Sequence, residues 1–293
     1  YADISIRGGT TAFSTAVDTA TISVTPVNDI PVVAAELSQT ASEDAATFEV
    51  DLLEGASDVD VTDTLSVTDL TWTVDGVGTE LPAGVSLSGA TVTVDPSAYN
   101  DLQADVTVTI VASYTVSDGA GGTVAQTATV TITGANDAPI LDATLSPAPV
   151  FETILEDVLE ADNAGTLVST LVSGAVSDAD AGSVAGIFVT DVEGTNGTWE
   201  FKISGGAWQS VELGDDNIGL LLGADDSLRF LPAENYNGSA TLTFGAWDQS
   251  EGSAGSYADI SVRGGTTAFS TALDTATISV TPVNDAPVLS EGV

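Results

Sequence analysis

The sequence has no cysteine, no histidine and no methionine, and only four basic residues, Arg7, Lys202, Arg229 and Arg263, against 43 acids. Each absence closes a class of function. Without cysteine there is no disulfide, no thiolate metal site and no thiol nucleophile. Without histidine the usual zinc, copper and haem ligand is missing, as is the common general base of hydrolytic triads. With a formal net charge of −39 the chain lacks the cations needed to replace the counterions of a nucleic acid or to dock on an anionic membrane surface. No apolar run approaches the roughly 20 residues that span a bilayer, so no membrane insertion is expected. The start carries no signal-peptide pattern. It also falls inside a repeated module, so the sequence is expected to be a window on a longer chain, and the missing pattern says nothing about compartment.

What is present is acid, mostly in turns rather than along strands. Solubility in salty surroundings is the plain reading of such a charge, since repulsion is screened over about 8 Å at physiological salt. Acids gathered at turns invite a second reading, the binding of cations.

One short acidic hinge punctuates the chain three times: Val27-Asn28-Asp29-Ile30-Pro31, Gly134-Ala135-Asn136-Asp137-Ala138-Pro139 and Val283-Asn284-Asp285-Ala286-Pro287. Residues 1–29 recur as 257–285 with only Ile6/Val262 and Val17/Leu273 different. Near-identity at that distance marks a tandem array whose long period holds whole domains. The hinges divide the chain into four parts. Residues 1–29 read as the C-terminal strand fragment of a preceding repeat, 30–137 and 138–285 as complete units, and 286–293 as the start of the next. The strand expected at 20–24 lacks the domain it belongs to and should pack weakly or borrow a neighbour.

Both complete units read as all-β. Val106, Val108, Ile110, Ala112, Tyr114 and Val116 alternate with polar residues, as do Val124, Ala128, Val130 and Ile132, which places each set on one face of a strand. Asp118-Gly119 and Gly121-Gly122 supply the turn between them. Asp95-Pro96-Ser97-Ala98-Tyr99 reads as a single helical turn. In the second unit Trp199, Phe201 and Ile203 lead through Ser204-Gly205-Gly206 into Trp208, a hairpin. Ala240, Leu242, Phe244 and Ala246 alternate inward, and Ala276, Ile278 and Val280 mark the last strand. Residues 248–270, rich in Gly, Ser and Thr, read as a long insertion before it. Short strands, frequent turns and no long amphipathic helix predict tandem immunoglobulin-like β-sandwiches.

The acids fall at matching places. The first unit has Glu43-Asp44, Asp58-Val59-Asp60 and Asp118; the second has Glu156-Asp157, Asp178-Ala179-Asp180 and Asp248 with Glu251. Calcium accepts 6–8 oxygen ligands in flexible loops, whereas carboxylates gathered without a cation repel. The alternative is that Asp, Asn and Gly are there to make turns. The sequence leaves open whether the Asp118 turn reaches a junction.

The run from Tyr114-Thr-Val-Ser-Asp-Gly through Val130-Thr-Ile-Thr-Gly-Ala-Asn-Asp-Ala-Pro resembles the closing half of a VCBS-type repeat. Residues 163–287 resemble cadherin-like repeats of large bacterial surface proteins, through GTWEFKISGGAW, FLPAENYNGSATLTFGAWD, GGTTAFSTALDTATISV and VNDAPVL. The resemblance implies cadherin-like sandwiches in the extender region of a secreted RTX-type adhesin, at the bacterial cell surface, serving cell adhesion and biofilm formation, with calcium stiffening the stalk. It implies a ligand set at each hinge: the hinge acids, a Glu and an Asp-x-Asp loop of the following domain, and an Asp before the last strand of the preceding one. At the middle hinge these are Asn136, Asp137, Glu156, Asp178, Asp180 and Asp118. Upstream they are Asn28, Asp29, Glu43, Asp58 and Asp60; downstream, Asp248, Asn284 and Asp285. The hinge has fewer acids than a full cadherin linker and no Asp-Arg-Glu-like motif, so one or two ions per junction are expected.

Other classes remain to be weighed. Trp72, Trp199, Trp208 and Trp247 could serve as sugar platforms, but such residues more often fill cores or hairpins. A glycan- or protein-binding module, or a self-assembling surface filament or sheath with homotypic contacts, is the alternative to a stalk. A carboxylate-pair glycosidase would need an apolar pocket to raise one acid, and none is signalled, so the chain is not expected to be an enzyme. Its expected partners are calcium ions and neighbouring repeats.

Overall fold

The computed structural model describes residues 1, 3–33, 35–215 and 217–287. The expected start of a further unit at 286–293 lies, from 288 onward, outside them. The chain is almost wholly β and forms two sandwiches in tandem.

The first sandwich contains β1 (Leu37–Ser42), β2 (Phe48–Asp51), β3 (Ser66–Val74), β4 (Val77–Thr79), β5 (Val85–Ser88), β6 (Thr91–Val94), β7 (Thr107–Ser117) and β8 (Thr123–Thr133). One sheet has the order β1-β8-β7-β3-β4 and the other β2-β6-β5. Strands β7 and β8 pair along their whole length, from Thr107 opposite Thr133 to Ser117 opposite Thr123. Alternation places Ile110, Ala112, Tyr114, Val116, Ala128, Val130 and Ile132 in a core with Leu52, Trp72, Val85, Val92 and Val94. Each large aliphatic side chain so buried contributes about 1.5–3 kcal/mol. Tyr114 takes its hydroxyl into that core and donates to the Leu52 carbonyl at 2.8 Å. Between β6 and β7 the expected helical turn spans Pro96–Tyr99, capped by Asp95, whose side chain accepts the Ser97 N–H.

The second sandwich contains β9 (Ile140–Leu141), β10 (Ile154–Leu155), β11 (Thr166–Leu167), β12 (Val176–Ser177), β13 (Gly186–Val192), β14 (Gly197–Lys202), β15 (Gln209–Ser210), β16 (Ile218–Leu222), β17 (Ser227–Pro232), β18 (Gly238–Trp247), β19 (Tyr257–Asp259) and β20 (Phe269–Thr281). Its sheets run β10-β20-β18-β13-β16-β19 and β11-β17-β14-β15, with a small β12-β9 pair. The expected hairpin is β14 with β15. Ile187, Val189, Leu220, Leu222, Leu242, Phe244, Ala276 and Ile278 face the other sheet in the main core.

The larger sheet is apolar on its outer face too. Phe188, Leu221 and Trp247, the intervening residues of their strands, form a second cluster with Ile260, Ala268 and Phe269. This is where the 248–270 insertion goes. It adds β19 to the sheet edge beside β16 and folds Ile260 and Ala268 over the outer face. A strand covered on both sides reads as an unbroken apolar run, which is why Gly186-Ile187-Phe188-Val189 is buried throughout. Gly245 has no side chain because the Phe188 ring occupies that space.

In each sandwich an early strand pairs in parallel with the last one. β1 runs beside β8, from Leu37 opposite Ala128 to Ser42 opposite Thr133, and β10 runs beside β20. The residue after each therefore arrives at the end where its sandwich hands over to the next hinge.

Residues 1–29 hold no strand among the described residues, and 20–24 remain irregular. The reason is a missing partner: the same sequence at 276–280 lies in β20 against β18.

Candidate metal centre at the hinge

The middle hinge leaves β8 and passes between the two sandwiches. Glu43, the residue after β1, donates its N–H to the Thr133 carbonyl at 3.0 Å, which turns its side chain toward the hinge. Its Oε1 accepts the Ala135 N–H at 2.8 Å. From the following sandwich, Asp180 accepts the Asp137 N–H on Oδ2 at 2.9 Å, while the Asp180 N–H donates to Asp178 Oδ1 at 2.9 Å. Asp248, immediately after β18, accepts from Asn136 Nδ2 at 2.9 Å. Asn100, at the end of the helical turn, donates to Asp137 Oδ2 at 2.6 Å.

Two oxygens in this cluster are buried with no hydrogen-bond partner: Glu43 Oε2 and Asp180 Oδ1. Glu43 is wholly buried. Burial pushes its carboxyl above the usual range, and Asp137, Asp180 and Asp44 raise it further by repulsion. Burial also raises Asp137, with Asp44, Asp180 and Asp178 adding to it, and raises Asp180, with Asp178, Asp248 and Asp44 adding to it. The one ion pair among the described residues, Arg229 with Glu200 at 2.6 Å, lies within the second sandwich's smaller sheet. A buried carboxylate oxygen without a donor costs free energy unless a cation or water meets it. An all-oxygen donor set without imidazole or thiolate suits a hard divalent cation, so these residues fit calcium.

The upstream hinge repeats half of this arrangement. Asp29 N–H donates to Asp60 Oδ2 at 2.9 Å, Asp60 N–H to Asp58 Oδ1 at 2.9 Å, and Asn28 Nδ2 to Asp118 Oδ2 at 2.8 Å. Asp58, Asp60 and Asp63 each bring a carboxylate oxygen within 4.8 Å of the others. Asp58 Oδ2 and Asp63 Oδ2 are buried and unpartnered. Burial raises the Asp63 carboxyl, with Asp60, Asp118 and Asp58 adding to it. The downstream hinge repeats the other half: Glu156 Oε1 accepts the Val283 N–H at 2.7 Å and its Oε2 accepts Asn237 Nδ2 at 2.9 Å. Asn284 Nδ2 lies 3.2 Å from the Asp285 carbonyl, as Asn136 Nδ2 does from that of Asp137.

The grouping expected from the sequence therefore changes. Glu156 is not at the middle hinge but at the downstream one, and Glu43 is at the middle hinge rather than the upstream one. Parallel pairing carries each Glu to the far end of its own sandwich. Asp118 and Asp248 shift the opposite way, each serving the hinge before its own sandwich, because the turn before the last strand lies at the entry end. Asn136 and Asp137 come together with Asp178 and Asp180, and Asn28 and Asp29 with Asp58 and Asp60, as grouped. Asp63, Asn100 and Asn237 were missed. The shared Tyr99-Asn100 and Tyr236-Asn237 pairs were the available signal for the two asparagines. Of the tryptophans, Trp72, Trp199 and Trp247 are buried, while half-buried Trp208 carries Lys202 Nζ at 4.7 Å and the Arg229 guanidinium at 4.2 Å from its ring centre.

No helix among the described residues is long and apolar enough to cross a membrane. No curated protein matches the chain. Similar solved structures include the extracellular cadherin domains 3–6 of protocadherin gamma B2, 14% identical with a TM-score of 0.44, covering 88% of this chain and 53% of that one. Domains EC22–24 of mouse cadherin-23 are 17% identical with a TM-score of 0.43, covering 88% of this chain and 68% of that one. The chain thus spans about half the length of the first of these structures (53%). Residues 27–133, which run from the upstream hinge to the end of β8, match the family described as the cadherin-like domain.

Proposed function

We propose that this chain is a pair of calcium-stiffened spacer modules from a long extracellular adhesion protein. The units are 30–137 and 138–285, preceded by the closing segment of a similar unit and followed by the opening of another. The observation that carries the reading is the pair of buried, unpartnered oxygens, Glu43 Oε2 and Asp180 Oδ1, on the two sides of one hinge. Bound calcium would supply the positive charge that lets these carboxylates sit together ionised. Glu43 belongs to the sandwich before the hinge, Asp137 to the hinge, and Asp178, Asp180 and Asp248 to the sandwich after it. These residues would hold the ion, and their attachment to both sandwiches is what would fix one against the other. The role is mechanical, and no residue is assigned to catalysis.

The motifs quoted above support placing the parent among RTX-type adhesins of the bacterial cell surface, with VCBS-type and cadherin-like repeats in a stalk that serves adhesion and biofilm formation. Extracellular calcium modules work at about 10⁻⁴–10⁻³ M, which suits hinges that share few acids. Small-angle scattering with calcium and with chelator tests the reading. The expected result is a longer, narrower particle and a higher melting temperature with calcium. Superimposable profiles and melting curves in the two conditions overturn it.

A further inference from the structure

We infer that the tip of the 248–270 insertion is a metal-independent latch that keeps the middle hinge on the second sandwich, leaving Ala135 as the point where the joint bends. The tip is a tight turn, closed by the Gly264 N–H to the Phe269 carbonyl at 2.8 Å and by the Thr267 N–H to the Gly264 carbonyl at 3.3 Å. Its own carbonyls are turned to the hinge. Gly265, with a left-handed φ of 58°, accepts the Ala138 N–H at 2.8 Å. The Thr267 carbonyl accepts from Asn136 Nδ2 at 3.2 Å. Both acceptors are neutral, so neither bond depends on a bound ion or on the charge state of the acids around it.

The turn is itself anchored. Ala268 and Phe269, which follow it, are buried in the outer apolar cluster with Phe188, Leu221, Trp247 and Ile260. The Phe269 ring meets that of Phe188 edge-on at 5.4 Å. The Ala268 carbonyl accepts the Asp248 N–H at 3.2 Å, which closes the insertion onto the end of β18. The apolar cover of the sheet and the hold on the hinge are therefore one structure. In the first sandwich residues 118–122 alone join the matching strands, and there Asn28 Nδ2 meets a carboxylate, Asp118 Oδ2, at 2.8 Å.

The ties on the other side are of a different kind. Gly134 is fixed to the first sandwich, donating to the Val106 carbonyl at 2.7 Å and accepting the Asp105 N–H at 3.1 Å. Beyond it, the first sandwich reaches the hinge through Glu43, which accepts the Ala135 N–H, and through Asn100, which donates to Asp137. Both of these bonds end on carboxylates of the repelling group. One neutral bond, from the Ala181 N–H to the Asp101 carbonyl at 3.0 Å, crosses directly between the sandwiches. Without a cation, repulsion among Glu43, Asp137 and Asp180 strains the carboxylate ties and spares the latch. Ala135 then lies between a residue fixed to the first sandwich and residues fixed to the second. The bend at Ala135 rests on the metal reading of the hinge; the latch does not.

The test follows residue-resolved amide exchange of the full chain, in chelator and in calcium, for wild type, Gly265→Val and Gly205→Val. Gly265 is exposed, with open space where a Cβ would stand, but its φ is strained for a β-branched residue, so the variant distorts the tip and spares the cluster beneath. Gly205, at φ 74° between β14 and β15 and equally open, brings the same strain away from the hinge. In chelator the wild-type Ala138 amide is expected to exchange at least about tenfold more slowly than an unstructured one. Gly265→Val is expected to remove that protection and Gly205→Val to keep it, with β18 and β20 protected in both. Exchange of Ala138 at the unstructured rate in wild type, or equal protection of Ala138 in the two variants, overturns the latch. As a second measurement, residual dipolar couplings of the wild-type amides of Asn136 and Ala138 in chelator are expected to fit the alignment of the second sandwich and not that of the first. A fit to the first alone, or to neither, also overturns it. One alignment common to both sandwiches and unchanged by calcium removes the metal reading and the bend at Ala135, and leaves the latch standing on the exchange result.

Discussion

The Ala135 N–H donates to Glu43 Oε1 at 2.8 Å, although 92 positions separate the two residues. The same bond joins Val283 to Glu156 at 2.7 Å, yet the two glutamates differ in charge environment. Glu156 is held below its usual range by the Val283 N–H and the Asn237 amide, and both its oxygens are satisfied. Burial raises Glu43, which faces three aspartates and keeps one oxygen unpartnered. The middle hinge, with a sandwich on each side, is the one where that glutamate meets the acids of a following sandwich.

Glu43→Gln should therefore act with opposite sign in two conditions. It keeps the shape and removes one charge from the repelling group. In chelator the variant is expected to melt at a higher temperature than wild type. In calcium its gain in melting temperature should shrink, with affinity at the middle hinge down on the order of tenfold, about 1.4 kcal/mol. Calorimetric titration and paired melting curves check both.

The response to pH should likewise reverse with calcium. The raised carboxyls of Glu43, Asp137 and Asp180 mean that the folded chain binds more protons than the unfolded one between the two sets of values. Their contribution is full below the unfolded carboxylate range, about pH 4, and is lost as pH rises through the raised folded values. The metal-free hinge should thus gain stability as pH falls from about 7 toward that window. With calcium, protons compete for the same oxygens, so acidification should weaken the hinge. Depressed Asp118 and Glu156 act the other way and lower down: their contribution is lost as pH falls through their folded values. Melting temperature against pH, with Asp180→Asn as reference, separates the hinge from the general repulsion of so acidic a chain.

Asp63→Asn should act locally. Asp63 belongs to the upstream cluster, and Ser183 takes the corresponding place in the middle, donating to Asp178 Oδ2 at 2.8 Å. The variant is expected to lose the calcium-dependent protection of the Asp58–Asp63 loop in hydrogen exchange while protection of the Asp178–Ser183 loop is unchanged. Equal loss at both loops would count against separate hinge sites.

Ile278→Ala and Ile22→Ala should differ sharply in spite of matching neighbours. The first opens a cavity in the second core, with a cost of about 2–5 kcal/mol. The second touches an exposed side chain and should stay within about 0.5 kcal/mol. Denaturant unfolding, followed through Trp199 and Trp247, measures both.

The alternation in β7, β8, β18 and β20 was plain in the sequence because period-two patterning is a local property. So was the helical turn at 95–99, and the family resemblance already implied the grouping of Asp29 and Asp137 with the Asp-x-Asp loop after each. The placement of Glu43 and Asp118 was not. It depends on β1 running parallel to β8 and on which end of the sandwich each turn occupies, and neither is encoded in the spacing between acids. Asp63, Asn100 and Asn237 escaped for the same reason, being ordinary turn residues until two sandwiches bring them to one hinge. The outer cluster of Phe188, Leu221 and Trp247 was hidden because a Gly- and Ser-rich insertion gives little sign that it will cover a sheet.

The duplicated segment separates the two kinds of information. The turn at Gly8–Phe13 forms as the turn at Gly264–Phe269 does, since its bonds close within a few residues and its glycines supply the left-handed backbone. That much the amino-acid order determines alone. The strand that follows forms at 269–281 and not at the matching positions of the first copy. A strand finds its hydrogen-bond partners and its buried face in other parts of the chain, here β18 and β10, and only the tertiary structure provides them.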